Sequence, residues 1–116
     1  MIDYETTKFQ DTDVRVFTMT GRWDSTTSDM VMEDIQKFVD QGEQRFVLDC
    51  SKLQYLSSLG LGTLVRASDQ LDQRGGQLAI SGVEGVVAET LHVMSLYSVL
   101  KIYKTVEEAA NALQAN

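Results

Sequence analysis

The chain of 116 residues contains one cysteine, one histidine and no proline. Cys50 cannot form a disulfide within the chain, so we expect a reducing compartment and a buried, unreactive thiol. His92 alone cannot build a histidine-based metal site, and any Ser-His-acid triad would have to use it. Walker A, Gly-x-Gly-x-x-Gly and Gly-x-Ser-x-Gly motifs are absent. We therefore expect no catalytic residues, no metal and no cofactor.

Basic residues and long apolar runs are also scarce. Ten Lys and Arg face 17 Asp and Glu, which gives a net charge of −7. This balance argues against binding to nucleic acid or to an anionic membrane, because both require a basic surface. No segment approaches the roughly 20 apolar residues of a membrane span, and the N-terminus does not resemble a signal peptide. We expect a cytoplasmic protein that does not insert into membranes.

The remaining pattern alternates short apolar strands with amphipathic helices. Strands are predicted at residues 2–10, 14–20, 45–50, 78–80 and 101–103, with Gly21 ending the second. Helices are predicted from the 24–28 region to Gly42, from Gly60 to Gly75, along Val83–Met94 with Met94 inward, and from Thr105. The order β-β-α-β-α-β-α-β-α predicts an α/β domain over residues 1–116. Its sheet is mixed but mostly parallel and opens with a β-hairpin.

Two adjacent serines, Ser57 and Ser58, stand between a predicted strand and a predicted helix. One hydroxyl could simply cap the helix, which is the usual role of serine there. A serine at a helix N-terminus can also accept a phosphate, which the free N–H groups then stabilise. Gly60 and Gly62 are poor helix formers and suggest a close approach by another backbone or a partner, while Leu59 falls outside the helix's apolar stripe. Residue chemistry alone leaves both interpretations open.

The segment Tyr55-Leu-Ser-Ser-Leu-Gly-Leu-Gly-Thr-Leu64, with Val47-Leu-Asp-Cys-Ser51 before it, resembles the signature of STAS domains. The similarity is greatest to bacterial anti-sigma factor antagonists, whose pattern is Leu-Asp-Leu-Ser followed by Asp-Ser-Ser/Thr-Gly-Leu-Gly-x-Leu. Further resemblances occur at Gly21-Arg-Trp-Asp24, at Gly75-Gly-Gln-Leu78, at Leu91–Leu96 and at Glu107-Glu-Ala109. Together they extend over nearly the whole chain.

The resemblance implies a protein-binding module without chemistry of its own. In the family, a partner that is both serine kinase and anti-sigma factor phosphorylates the serine that matches Ser58, with Ser57 as the alternative here. The unphosphorylated form binds this partner, the phosphorylated form releases it, and a serine phosphatase resets the switch. The resemblance places partner binding at Asp24, Ser57, Ser58, Leu59, Gly60 and Gly62.

A second interpretation is a STAS scaffold that does not switch, for example a subunit of a membrane lipid transporter. It draws on two departures from the family pattern, Ser57 in place of Asp and Leu59 in place of Ser or Thr. A sensor of a small ligand or nucleotide that uses the Gly60-x-Gly62 turn is a third possibility. A hydrolase would require His92 to lie beside Ser58.

Overall fold

The computed structural model describes residues 2–96 and 100–114 of the chain. Within these two ranges, five strands and four helices follow one another in the predicted order. The strands are β1 (Ile2–Lys8), β2 (Val14–Trp23), β3 (Arg45–Leu56), β4 (Gln77–Ser81) and β5 (Lys101–Tyr103). The helices are α1 (Ser25–Asp40), α2 (Ser58–Gln73), α3 (Gly85–Val93) and α4 (Val106–Gln114).

The five strands form one sheet in the order β1-β2-β3-β4-β5. β1 pairs with β2 antiparallel, and the three other pairings are parallel. The predicted mixed sheet that opens with a hairpin is therefore confirmed. Because β2 and β3 run parallel, their carboxyl ends lie side by side at one edge of the sheet.

Helices cover both faces of the sheet. α1, α2 and α3 pack on one face, where Phe17, Phe46 and Leu48 belong to the larger buried cluster. On the other face, Ala109, Ala110 and Leu113 of α4 pack against a smaller cluster of Val14, Val16, Val47 and Ala79. Consecutive residues of β3 thus point into different clusters, which explains its continuous apolar run.

β2 and β3 extend beyond their predicted ends. Gly21 does not end β2; it has φ of +99° and lies at a shift in the β2–β3 register, and the strand continues to Trp23. Such a bulge accommodates the unusual backbone while pairing resumes on its far side. β3 continues in the same way past Cys50 to Leu56, which pairs with Trp23. This extension carries the chain directly to the serine pair.

Four smaller predictions are also corrected. β1 ends at Lys8 rather than at residue 10, and α2 begins at Ser58 rather than at Gly60. In the third helix Val87 and Leu91 are buried as expected, but Val83 precedes the helix. Met94 is 54% exposed instead of facing inward, because it follows the last residue of α3.

Candidate functional site

Two helix N-termini meet at the carboxyl edge of the sheet, and each has its own cap. Trp23 and Leu56 are paired at the ends of β2 and β3, so the residues after them, Asp24 and Ser57, lie on the same edge. The Ser57 N–H donates to the Trp23 carbonyl oxygen at 3.0 Å. Asp24 caps α1, and Ser57 caps α2. Local sequence could not identify the first of these caps, since four further candidates follow Asp24.

Asp24 is fixed by its cap contacts. Its Oδ1 accepts from the backbone N–H of Thr27 at 3.2 Å and from the Thr27 hydroxyl at 3.1 Å. The backbone bond from Thr27, followed by the hydroxyl bond, lowers the pKa of this carboxyl below its ordinary value. Asp24 is thus an exposed carboxylate, held in place beside the serine pair.

The two serines have different environments. The Ser57 hydroxyl accepts from the Gly60 backbone N–H at 3.0 Å and is half-buried. Ser58 is the first residue of α2, is exposed, and its hydroxyl bonds to no other residue in the described ranges. The cap role therefore belongs to Ser57, and the Ser58 hydroxyl is accessible.

Gly60 is buried against the body of the domain. A Cβ at Gly60 would lie 2.8 Å from Trp23 Cδ1 and 2.8 Å from Leu56 Cδ1. Trp23 is fully buried, and its Nε1–H donates to the Ser28 hydroxyl at 2.7 Å. The close approach that the sequence indicated here is therefore made by the chain's own tryptophan. In the sequence, the only sign of this contact was Trp23, the single tryptophan, which lies immediately before the cap residue Asp24.

Leu59 and Gly62 face outward on the first turns of α2. Leu59 is 52% exposed, as its position outside the apolar stripe predicted. Gly62 is exposed, and no atom lies within 4 Å of the position that a Cβ would occupy. Of the predicted partner-binding residues, Asp24, Ser58, Leu59 and Gly62 are thus exposed together at this edge. Ser57 and Gly60 support them from beneath.

A groove of about 560 Å³ runs beside α2, starting at Ser58. Its other wall is the turn that follows α3, and its apolar lining consists of Leu61, Val65, Met94 and Leu96. Polar side chains line it further along α2, namely Arg66, Ser68, Asp69 and Asp72. This groove was not expected from the sequence, because the helical spacing of Met94 predicted a position in the core.

The geometry gives little support to a histidine-dependent hydrolase, to a reactive thiol or to a metal site. No histidine is among the described residues that line the groove with Ser58, whereas His92 lies exposed on α3. Burial raises the pKa of the Cys50 thiol to about 12. Across residues 2–96 and 100–114, no group of three His, Cys, Asp or Glu side chains could hold a metal ion. Within these ranges no helix has the length and apolar character required to cross a membrane.

Residues 5–109 match the STAS domain family, and the chain belongs to it. The anti-sigma F factor antagonist of Paenibacillus polymyxa is 28% identical over 102 residues, which are 87% of each chain. BtrV of Bordetella bronchiseptica, whose name also describes it as an anti-sigma factor antagonist, is 30% identical over 94 residues, or 81% of each chain.

Solved structures share the fold. The unphosphorylated form of the anti-sigma factor antagonist SpoIIAA superposes with a TM-score of 0.80 over 98% of both chains, at 16% identity. The phosphorylated form of SpoIIAA, described as a Bacillus cell fate determinant, gives 0.71 over 95% of this chain and 98% of that one, at 15% identity. At these identities the superpositions establish the fold of the chain.

Proposed function

We propose that this protein is an anti-sigma factor antagonist switched by phosphorylation of Ser58. Unphosphorylated, it binds a serine kinase that is also an anti-sigma factor, and so frees the sigma factor. Phosphate on Ser58 releases the kinase, and a serine phosphatase restores the binding form. The protein acts by binding alone, in the cytoplasm, without a cofactor and without contact to nucleic acid or membrane.

The observation that carries the proposal is the division of roles between the two serines. Ser57 is engaged as the cap of α2, whereas the Ser58 hydroxyl is exposed at the start of the helix. Two relatives that match over most of the chain are named anti-sigma factor antagonists. The structure of SpoIIAA has been solved in the unphosphorylated and the phosphorylated form. These findings support Ser58 rather than Ser57 as the phosphate acceptor.

The helix start suits a phosphate on Ser58. The N–H groups of the first helical residues have no partner within a helix, and Ser57 uses only that of Gly60. The backbone N–H groups of Ser58 and Leu59 remain for phosphate oxygens, at the positive end of the helix dipole. A phosphate that carries roughly −1.5 to −2 charges is therefore tolerated by this domain.

The same phosphate would oppose binding of a partner. Leu59 beside it is 52% exposed, and the groove that begins at Ser58 includes the apolar residues Leu61, Val65, Met94 and Leu96 in its lining. A partner seated on Leu59, Gly62 and the groove would have to remove water from the phosphate, and burying an uncompensated charge is costly. The proposed contact surface comprises Asp24, Ser58, Leu59 and Gly62, positioned by Ser57 and Gly60.

Phosphate transfer tests the proposal. The purified chain is incubated with ATP and with each GHKL-type serine kinase of the organism that encodes it, and intact mass is measured. We expect one phosphate on the wild type and on Ser57→Ala, and none on Ser58→Ala. Stoichiometric modification of Ser58→Ala at Ser57 would contradict the assignment. A wild type that no such kinase modifies would favour the non-switching scaffold.

A further inference from the structure

An exposed apolar surface continues from the groove onto the outer side of α3. Val86 is 55% exposed, Val93 78% and Met94 54%. Met94 borders the groove that begins at Ser58, and it also lines a shallow depression together with Val86 and Val93. Soluble proteins seldom expose contiguous apolar patches unless they bind something. The groove and the outer side of α3 therefore form one surface, which we call the α2–α3 surface.

The α2–α3 surface changes in polarity along α2. Near Ser58 its lining is Leu61 and Gly62, whereas about three to four turns further on it is Asp69 and Asp72. Ser58 and Asp72 lie about 21 Å apart along the helix at 1.5 Å per residue. This length is enough for roughly four turns of a second helix laid alongside.

The acidic end of the α2–α3 surface lacks positive partners. Neither Asp69 nor Asp72 forms an ion pair with any residue that the structure describes, and the same is true of Glu89 on α3. Asp69 accepts only a hydrogen bond from Gln73, at 3.3 Å. Arg66 is the one cation among the described residues that line the groove. Because these carboxylates outnumber the cations beside them, the surface favours a partner that supplies positive charge.

We propose that a helix of the kinase partner docks along the α2–α3 surface, and this inference rests on the proposed function. Its apolar side chains, spaced i, i+3, i+4 and i+7, fill the groove between Val65 and Met94. Its basic side chains lie over Asp69 and Asp72. Phosphate on Ser58 meets the apolar end of this helix, far from the basic end, so desolvation outweighs attraction and the partner leaves.

Charge argues against a second copy of this chain as the occupant. A copy carries a net charge of −7 and would bring its own carboxylates toward Asp69 and Asp72. A partner with an apolar stripe and a basic end matches both halves of the surface.

Binding measurements with matched variants test the inference. The probe is the kinase that phosphorylates Ser58, titrated without ATP against the unphosphorylated chain. Met94→Gln should weaken binding about tenfold, the loss typical of removing an interface anchor. Met30→Gln is the control, since Met30 on α1 is 51% exposed, close to the 54% of Met94. Val93→Ser serves as a second variant and should also weaken binding.

Charge is tested separately. The double variant Asp69→Asn/Asp72→Asn should bind several-fold more weakly at low salt, and this difference should vanish near 1 M salt, where the Debye length is about 3 Å. Glu107→Gln/Glu108→Gln removes the same two charges from α4, on the opposite face of the sheet, and should bind like the wild type.

The outcomes separate this inference from the proposed function. If Ser58 is phosphorylated but Met94→Gln, Val93→Ser and the Asp69/Asp72 variant bind like the wild type, the docking inference is wrong and the proposed function stands. If no kinase binds or modifies the chain, both are wrong. A wild-type dimer that Met94→Gln converts to a monomer would assign the surface to a second copy and overturn the inference.

Discussion

At the scale of single residues, Gly60 and Gly62 illustrate two uses of glycine within one helix. Gly60 lies against Trp23 and Leu56, where a Cβ would approach side-chain carbons to 2.8 Å. Gly62 faces open space, with no atom within 4 Å of its would-be Cβ. Packing therefore requires the first glycine, whereas the second leaves the surface beside Ser58 free of a side chain.

Alanine substitutions should separate these two roles. Gly60→Ala should lower the free energy of unfolding by about 1–3 kcal/mol, because the added methyl overpacks the contact with Trp23. Gly62→Ala should raise it by up to about 1 kcal/mol, because alanine favours helix and meets no neighbour. Urea unfolding followed by the fluorescence of Trp23 measures both. Equal stability of the two variants would contradict the packing described for Gly60.

The sequence located the candidate site within a few residues, but it did not show which residue has which role. The motif from Ser57 to Gly62 is contiguous, so its location was readable. Which serine caps α2 depends on backbone angles, and Ser57 has the extended values of φ −72° and ψ 162° that a cap residue requires. Because both side chains are the same, residue type alone cannot show that Ser57 is the cap and Ser58 the first helical residue.

At the scale of elements, an ion-pair cluster holds the end of α1 to the sheet, opposite the candidate site. The Arg15 guanidinium on β2 donates to both carboxylate oxygens of Glu43, at 3.0 and 2.8 Å, and lies over the Phe38 ring of α1. Lys8 Nζ lies 3.5 Å from the same carboxylate. The hydrogen bonds from Arg15, ahead of the charge effects, lower the pKa of Glu43 below its ordinary value of 4.5.

This cluster predicts a pH-dependent contribution to stability. A carboxyl whose pKa is lower in the folded than in the unfolded state stabilises the fold above its unfolded pKa, and this contribution is lost as pH falls through the folded value. Glu43→Gln should therefore be less stable than the wild type at neutral pH, with the difference shrinking below pH 4.5. Urea unfolding across this range measures it, with Glu33→Gln on exposed α1 surface as the control. A difference that is constant with pH would contradict this account.

Parts of two elements, the second half of β3 and the ends of α3, differ from the sequence prediction for identifiable reasons. In the second half of β3 the buried residues are Cys50, Leu53 and Leu56, spaced by three rather than two because the β2–β3 register shifts there. This spacing hid the strand. In α3 the predicted inward residues Val87 and Leu91 are buried, but Met94, which continues the same apolar spacing, lies past the end of the helix and is exposed.

At the scale of the whole molecule, Cys50 reports on global unfolding. It is 2% exposed within the larger buried cluster, and burial raises the pKa of its thiol to about 12. Because a buried thiol cannot form the reactive thiolate, it should react with a thiol reagent only when the sheet opens. The native protein should therefore show no rapid labelling, and the urea-unfolded protein should show one reactive thiol per chain. Rapid labelling of the native protein would contradict the placement of Cys50 in this cluster.

The overall architecture could be predicted from the sequence because most strands and helices carry a clear apolar pattern and are separated by turn residues. The order of elements, the parallel sheet and its opening hairpin are confirmed. The groove beside α2 could not be predicted, because its lining comes from α2 and from Met94 and Leu96 after α3, which are far from α2 in the sequence. A surface formed by segments that are far apart in the sequence can be recognised only in the folded structure.

The most direct measurement of the central claim compares two forms of the same protein. The chain phosphorylated on Ser58 and the unphosphorylated chain are titrated against the kinase that adds the phosphate, in the absence of ATP. The phosphorylated form should bind at least about tenfold more weakly, because the partner must desolvate a charge placed beside Leu59 and the apolar groove. Equal affinity of the two forms would contradict the switch.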